Sequence, residues 1–324
     1  SIAEKYKDIV TITKEHFIIV SNNVAIKNIK SFPCTVNELF DQTPAYHETF
    51  ENLWVMVENN IQLYNSRPFK GVCLLRRPRS DRWAIMTELF DLKSSSELLL
   101  SFSVDVDLIQ LPIGAPQLDN EYWQKIHKIM IEDPDSIAGH HDFSQQYPKS
   151  FEKFRKEFIH EQVPFWITND VNPKTNPKTD KEIWKFIDSY LHIVSETYFD
   201  KDVIHFSEKI FKPIWYMQPF VVFSTPYTLK HLKDLGYKTF NKWINESYDN
   251  IEDPTERMYT AIEACREFMN KPTNELNNIM KEMLPILNHN VLTLLNNREK
   301  LHVNLLKDLK KHSDTKWGDT RHVL

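Results

Sequence analysis

Apolar and polar positions along this chain follow two alternating spacings, and the alternation predicts a repeating β/α protein. Helical spacing of apolar residues appears over residues 83–92 and 206–216. Short apolar runs of strand length stand at residues 17–21, 71–75, 97–104, 190–195 and 220–223. Strands that alternate with helices in this way are typical of a parallel, doubly wound sheet.

The C-terminal third has the clearest helix signals. Pro254 suits the first turn of a helix that runs to residue 269, with Asp253 as its N-cap. Residues 274–311 carry leucines at helical spacing and predict one or two long amphipathic helices. A helix over residues 226–235 ends at Gly236, which suits the position after the helix, and residues 239–243 predict a short strand.

Two stretches of alternation and a helical end predict an α/β fold of two Rossmann-like lobes that face a cleft, followed by C-terminal helices. The predicted units are an N-terminal lobe at residues 1–165, a second lobe at 166–270 and a helical segment at 271–324. Residues 169–180, with two Asn-Pro pairs, are the best candidate for a linker, although a surface loop has the same pattern. Residues 136–150 are expected to be a polar loop.

Composition narrows the class of protein. The hydrophobic share is 41%, the net charge is −5, and no apolar run approaches the length of about 20 residues that a membrane span needs. There is no start of the kind that directs secretion, and the three cysteines form no CxxC pair. We therefore expect a cytoplasmic protein with no disulfide framework.

Glycine is scarce, at 5 of 324 residues, and neither a P-loop nor a GxGxxG motif is present. Enzymes that depend on these glycine-rich motifs are thereby excluded. Any phosphate group must be bound by charged side chains and by helix N-termini.

Two clusters of charge follow predicted strands. Glu208 and Lys209 stand at the start of a predicted helix, with Lys212 one turn further on. This pattern indicates an anion site at the carboxyl end of a strand or, alternatively, an ordinary solvated helix start.

The other cluster of charge follows the strand at 71–75 and contains Arg76, Arg77, Arg79 and Arg82. It predicts a phosphate site, a basic surface loop in which Asp81 pairs with an arginine, or a contact with nucleic acid.

The region from residue 190 to 249 carries a resemblance to a known family. IVSET at 193–197, SEKIFKP at 207–213, QPFVV at 218–222, LKDLGYKTF at 232–240 and ESYD at 246–249 occur in this order. The block resembles the donor-binding half of GT-B glycosyltransferases, in particular the α-1,3-fucosyltransferase-like group and its relatives in phages and large viruses. Ser207 replaces the more usual threonine, and no fucosyltransferase acceptor domain is recognisable, so fucose is not supported as the sugar.

The resemblance implies roles for individual residues. Glu208 would contact the ribose of a nucleotide-sugar donor, Lys209 its phosphates, and Glu196 matches an acid that follows a strand in the family. Arg76, Arg79 and Arg82 would reach the donor phosphates or the acceptor. Lys212 could form a pair with Glu208 on one helix face. Glu246 and Asp249 are expected to cap the next helix rather than bind sugar.

A general base would come from the loops of the first lobe, where Asp105, Asp107, His140 and His141 are the candidates. Asp105 and Asp107 also form a DxD pattern, but the family generally needs no metal, and no cofactor is expected. The implied activity is inverting transfer of a sugar from a nucleoside diphosphate to a hydroxyl. Hydroxymethylated DNA or a virion glycan is the expected acceptor, in the host cytoplasm if the source is viral. The alternatives are a non-catalytic protein of the same fold and a nucleic-acid-binding protein.

Overall fold

The structure is a computed structural model of the 324-residue chain. It describes residues 19–21, 31–33, 67–75, 79–95, 97–102, 140–157, 183–201 and 203–316. The candidate linker at residues 169–180 lies outside these residues.

A four-stranded, wholly parallel sheet organises the described part of the chain. Its strands are β3 (Phe69–Leu75), β4 (Leu98–Phe102), β5 (Ser189–Ser195) and β6 (Phe220–Phe223), in the spatial order β4-β3-β5-β6. Every residue of β5 and β6 is buried, as expected for a sheet that helices cover on both faces. The mixed α/β class and its parallel sheet are therefore confirmed.

Two short strands form a separate parallel pair. They are β1 (Ile19–Ser21) and β2 (Ser31–Pro33), and Val20 is the partner of Phe32. The apolar run predicted as a strand at residues 17–21 thus contains β1.

The strand order reverses between β3 and β5. From β3 the chain crosses to β4 on one side, whereas from β5 it crosses to β6 on the other side. Right-handed crossovers in opposite directions place their helices on opposite faces of the sheet. A crevice opens at such a reversal, beyond the carboxyl ends of the two central strands, and open α/β sheets bind their ligands there.

Helices connect and cover the strands. Their bounds are α1 (Ser80–Ser94), α2 (His140–Gln146), α3 (Pro148–Glu157), α4 (Ile183–Ile187), α5 (Glu208–Trp215), α6 (Thr228–Asp234), α7 (Pro254–Met269) and α8 (Thr273–Lys316), with a 3₁₀ turn at Ser247–Asn250. Helices α1 and α7 contact each other and the sheet, while α5 contacts β5 and α8. Helix α7 begins as predicted, because the side chain of Asp253 accepts a hydrogen bond from the N–H of Glu256 at 2.7 Å.

Aromatic packing fixes the first crossover helix. Trp83 is fully buried, and its ring centroid lies 4.6 Å from that of Phe102 on β4 and 6.1 Å from that of Phe143 on α2. Phe154 of α3 meets the same indole edge-on at 5.3 Å. Helix α1 is thereby held between β4 and helices α2 and α3, with its N-terminus at the carboxyl edge of the sheet.

Two local predictions are wrong. Residues 136–150 were expected to form a polar loop, but α2 starts at His140 and α3 at Pro148, because Phe143 and Tyr147 supply a buried face. Residues 239–243 do not form a strand; they turn instead, and Glu246 binds this segment through its carboxylate.

The predicted pair of facing lobes is not confirmed in the described residues. Strands β3 and β4 precede residue 165 and strands β5 and β6 follow it, yet all four belong to one sheet. In the pairing of β3 with β5, Val72 lies opposite His192 and Cys73 opposite Ile193. The parts of the chain on either side of the predicted boundary therefore contribute to a single α/β unit.

Candidate functional site

The arginine cluster and the SEK segment meet at the carboxyl edge of the sheet. Arg79, just before α1, donates from Nη1 to the main-chain oxygen of Thr197 and from Nη2 to that of Glu196. The same Nη2 lies 3.2 Å from Oδ2 of Asp81. Arg79 thus links the segment that follows β3 to the segment that follows β5, at the reversal of strand order.

Arg82 and Asp81 form the inner part of this cluster. Arg82 is 5% exposed, and its Nε donates to the hydroxyl of Ser195, the last residue of β5, at 2.9 Å. Burial, and after it the positive charge of Arg79, lowers the pKa of Arg82 to about 10. Burial also raises the pKa of Asp81, although the charges of Arg79 and Arg82 oppose this shift. An arginine that is charged at neutral pH is therefore held inside the protein beneath the site.

Glu196 is fully buried directly after β5. Its Oε2 accepts hydrogen bonds from the hydroxyl of Ser207 at 2.6 Å and from the N–H of Thr197 at 3.0 Å. Its Oε1 accepts from the N–H of Ser207 at 3.1 Å. A carboxylate with these three donors orders the backbone around it, and it is not presented to solvent.

Helix α5 begins where Ser207 caps it. The Ser207 hydroxyl accepts from the N–H of Lys209 at 3.2 Å, the usual geometry of an N-cap serine. The ammonium of Lys209 lies 3.0 Å from the same hydroxyl and 3.4 Å from Oγ1 of Thr197. A cation is thereby held beside the positive end of a helix, where an anion is favoured.

The structure thus brings four of the predicted site residues into one cluster. These are Arg79, Arg82, Glu196 and Lys209. Glu208 is the first residue of α5, so its backbone adjoins the cluster, while its side chain lies outside what the structure describes. Within the described part of the cluster, three cationic side chains stand against the carboxylates of Asp81 and Glu196, and this balance suits an anionic ligand.

Lys212 lies one turn along α5, further from the cluster. Its positive charge acts on His192 of β5, whose pKa is lowered to about 3, chiefly by burial and then by Lys212. The Nδ1 atom of His192 is buried, and no residue that the structure describes forms a hydrogen bond with it. The predicted pair between Lys212 and Glu208 stays a prediction, since the Glu208 side chain is not described.

The structure does not describe the side chains of the remaining predicted residues. Arg76, Arg77, Asp105 and Asp107 lie outside the described residues, and so their contribution stays a prediction. His140 and His141 form the first turn of α2, but their side chains are also not described. Among the side chains that the structure does describe, no group of three His, Cys, Asp or Glu residues comes together to hold a metal ion.

Glu246 and Asp249 bind segments that precede them in the chain, and not the start of the next helix as predicted. Asp249 accepts from the N–H groups of Leu229 and Lys230 at 2.8 and 3.1 Å, and it therefore caps α6 from a distance instead of the next helix. Glu246 accepts from the hydroxyl of Thr239 at 2.7 Å.

Sequence reasoning missed several contributors to the cluster. Ser195 and Thr197 stand in the IVSET motif, but only Glu196 was singled out there. Asp81 was considered only as a partner of an arginine on the surface, whereas it is buried. Arg257 on α7, which lies outside the cluster and binds the main-chain oxygen of Phe199, was also missed, because its neighbours in sequence do not distinguish it from other helix arginines.

Compared with protein-family models, with curated proteins and with solved structures, the chain has no significant match in any of the three. None of the helices within the described residues is both long and apolar enough to cross a membrane.

Proposed function

We propose that this chain is a glycosyltransferase that takes a sugar from a nucleoside-diphosphate donor and transfers it to an acceptor hydroxyl. The observation that carries the proposal is the cluster at the reversal of strand order. There Arg79 from the segment after β3 and Lys209 at the start of α5 both contact Thr197. The order of motifs from residue 193 to 249 supports the choice of sugar transfer over other reactions of anionic ligands.

The chemistry of the donor explains why cations are needed at this place. When the bond between the anomeric carbon and the phosphate oxygen breaks, the nucleoside diphosphate leaves with additional negative charge. Positive groups that are already in position stabilise that charge without rearrangement. The ammonium of Lys209 and the N-terminus of α5 provide two such groups, and the guanidinium of Arg79 provides a third.

The buried members of the cluster have supporting roles in this proposal. Arg82 donates to Ser195 and is covered by protein, so it holds the end of β5 and contributes its charge from below. Glu196 holds Thr197 and Ser207 in place, and we therefore assign it to the architecture of the site instead of to contact with the donor. Glu208 is proposed to accept the ribose hydroxyls.

The proposed reaction is a single in-line displacement. An acceptor oxygen bonds to the anomeric carbon as the carbon–oxygen bond to the diphosphate breaks, and the configuration inverts. The acceptor proton passes to a general base, for which Asp105, Asp107 and His140 remain the proposed candidates. The donor lobe is proposed to be the four-stranded sheet with its helices, and a second lobe for the acceptor is expected from the resemblance alone.

The acceptor and the setting also remain parts of the proposal. A hydroxymethylated base in viral DNA or a glycan of a virion supplies the hydroxyl that the reaction needs. Arg79 and Arg82 direct their donors to internal carbonyl and hydroxyl oxygens. That arrangement favours a small anion at the strand edge over an extended nucleic-acid surface.

Thermal denaturation with a panel of nucleotides tests the proposal. UDP, GDP, ADP and CDP are each compared with the matching monophosphate, because the cluster is expected to bind the second phosphate. A diphosphate at a hundred times its Kd stabilises the folded state by about 2.7 kcal/mol. With an unfolding entropy of about 2.1 cal/mol/K per residue, each kcal/mol raises the Tm of this 324-residue chain by about 1.5 °C. If no diphosphate raises the Tm, and the protein instead binds DNA with an affinity that falls steeply with salt, the proposal is wrong.

A further inference from the structure

A buried arginine on helix α7 joins the segment that follows β5 to the segment that follows β6. Arg257 is 2% exposed, and its Nε donates to the main-chain oxygen of Ser224 at 3.0 Å. Its Nη1 donates to the oxygens of Ile251 and Glu252 at 2.7 and 2.8 Å. Its Nη2 donates to the oxygen of Phe199 at 2.5 Å.

These oxygens belong to three separate segments of the chain. Ser224 directly follows β6, Phe199 lies three residues beyond Glu196 in the segment that follows β5, and residues 251–252 lead into α7. The guanidinium also lies over the ring of Phe199, with Cζ 4.6 Å from the ring centroid. Carbonyl groups beyond the end of a strand have no ladder partner, and Arg257 supplies donors for them.

Only an arginine has the shape for this task. Its planar guanidinium presents donors in several fixed directions, whereas a lysine ammonium is a compact point charge on a flexible stem. Hydrogen bonds from a charged donor are also stronger than those between neutral groups. One side chain can therefore fix the spacing between the segments after β5 and β6.

The segment after β5 is the one that the donor cluster uses. Its Glu196 and Thr197 oxygens accept from Arg79, and its Thr197 hydroxyl accepts from Lys209. Any shift of Phe199 is transmitted to Thr197 over two peptide bonds. We infer that Arg257 is a positioning residue for the donor site, which it serves by holding the segment 196–199 at the distance from β6 that nucleotide binding needs. This inference rests on the proposed function.

The test compares Arg257→Lys with a matched change on the same helix. Arg266 also makes several hydrogen bonds, to both carboxylate oxygens of Asp91 and to the oxygen of Glu88, but it contacts α1 away from the cluster. Arg266→Lys therefore reports what a general loosening of α7 does. Both variants are studied as the full chain, at a temperature at which circular dichroism shows each of them fully folded.

Two readouts are taken for each variant. Calorimetry gives the Kd of UDP, GDP, ADP and CDP, and hydrogen exchange gives the protection of peptides that cover residues 196–201 and 224–228. Arg257→Lys is expected to raise the Kd of the diphosphate that the wild type binds by about tenfold. It is also expected to speed exchange in both peptides, while Arg266→Lys changes neither quantity.

Separate outcomes overturn the two ideas. Wild-type protein that binds none of UDP, GDP, ADP and CDP contradicts the proposed function, and the exchange data alone then decide whether Arg257 holds the segment 196–199. An Arg257→Lys protein with wild-type Kd and wild-type exchange overturns the positioning role. An equal loss of affinity in Arg266→Lys also overturns it, since the effect would then be general. If Arg257→Lys fails to fold, Phe199→Leu is used, which removes the ring beneath the guanidinium and is expected to weaken binding in the same direction.

Discussion

Two hydrogen bonds join the carboxylate of Glu196 to Ser207, the N-cap residue of helix α5. Oε1 accepts from the Ser207 N–H at 3.1 Å, and Oε2 accepts from its hydroxyl at 2.6 Å. Because the same hydroxyl accepts from the N–H of Lys209, the end of β5 and the start of α5 depend on one shared group. The position of the Lys209 ammonium therefore depends on a buried acid through the Ser207 hydroxyl, which both groups contact.

This relationship predicts that changes at Glu196 and Ser207 are not additive. Ser207→Ala removes a helix cap, which costs about 1 kcal/mol of stability. Glu196→Gln leaves buried donors poorly matched and costs about 1–3 kcal/mol. The double variant is expected to lose less than the two losses together, by about 0.5–1 kcal/mol.

Urea denaturation of the four proteins measures this coupling. Glu275→Gln serves as the control, because Glu275 is about half exposed and pairs with Lys271 on the surface at 2.8 Å. Its effect should stay within about 0.5 kcal/mol. Strict additivity of the two buried changes would show that Glu196 and Ser207 act independently.

His192 predicts a specific loss of stability in acid. Burial lowers its folded pKa to about 3, whereas the unfolded value is about 6.5. The folded state binds fewer protons between these values, so the stabilising contribution is complete above pH 6.5 and is lost as the pH falls from there toward 3. The slope can reach about 1.4 kcal/mol per pH unit.

Replacement of this histidine by Leu should flatten the pH dependence. His192→Leu also removes the unpartnered Nδ1, so stability at pH 7 is expected to be preserved. Denaturation midpoints between pH 7 and 4 are compared with those of His231→Gln, a change on the more exposed face of α6. Equal acid sensitivity in the wild type and His192→Leu would contradict the assignment.

The Lys209 ammonium is expected to contribute directly to diphosphate binding. Lys209→Met keeps the length of the side chain and removes its charge. A hydrogen bond to a charged group contributes about 1.5–3 kcal/mol, so the Kd should rise by about tenfold or more. Lys230→Met is the matched control, because Lys230 pairs with Asp234 on the surface of α6. Titration calorimetry measures the Kd of the diphosphate for both variants. Equal Kd values would show that Lys209 does not belong to the binding site.

Glu208→Ala should abolish donor binding while leaving the fold intact. Glu208 opens α5, and the proposal gives its carboxylate to the ribose hydroxyls. Binding of a nucleoside diphosphate and binding of inorganic pyrophosphate are measured side by side, because pyrophosphate lacks the ribose. The nucleotide should lose affinity and pyrophosphate should keep it. If both bind the variant as they bind the wild type, the ribose contact lies elsewhere.

Gly236 is predicted to be needed for its backbone angle alone. Its φ is +92°, and an added Cβ would meet only the Cγ2 of Thr293 at 3.6 Å, an ordinary contact. Gly236→Ala should therefore cost about 1–2 kcal/mol through the left-handed conformation and not through a clash. Gly236→Asn should cost less, since asparagine tolerates this position. A thermal melt that ranks Asn below Ala would contradict this explanation.

Much of the fold could be predicted from the sequence because the local signals agree with the tertiary structure. The apolar run at 190–195 became β5, and Asp253 with Pro254 marked the start of α7, since each signal acts over a few residues. The helix at His140–Gln146 was missed because its polar residues outnumber its one buried aromatic side chain, Phe143.

Strand order and the inner side of the site could not be read in the same way. The pairing of Val72 with His192 depends on contacts between distant segments, and no local pattern encodes it. Arg79 and Lys209 could be proposed as phosphate ligands from their positions after predicted strands. The burial of Arg82 and Glu196 could not be foreseen, because it too depends on contacts between distant segments. A buried arginine and an exposed one have the same letter and often the same neighbours in sequence.

The pairing of β3 with β5 has a consequence for the order in which the protein folds. Strand β5, α5, β6 and α7 follow one another closely, whereas β3 must wait until the chain has passed β4 and α1–α4 before its central neighbour exists. Closing so long a loop is entropically costly, and pairings of this kind are slow. In the cluster, Arg79 belongs to the segment that follows β3 and Glu196 to the segment that follows β5. Ligand affinity is therefore expected to appear only after this long-range pairing has formed.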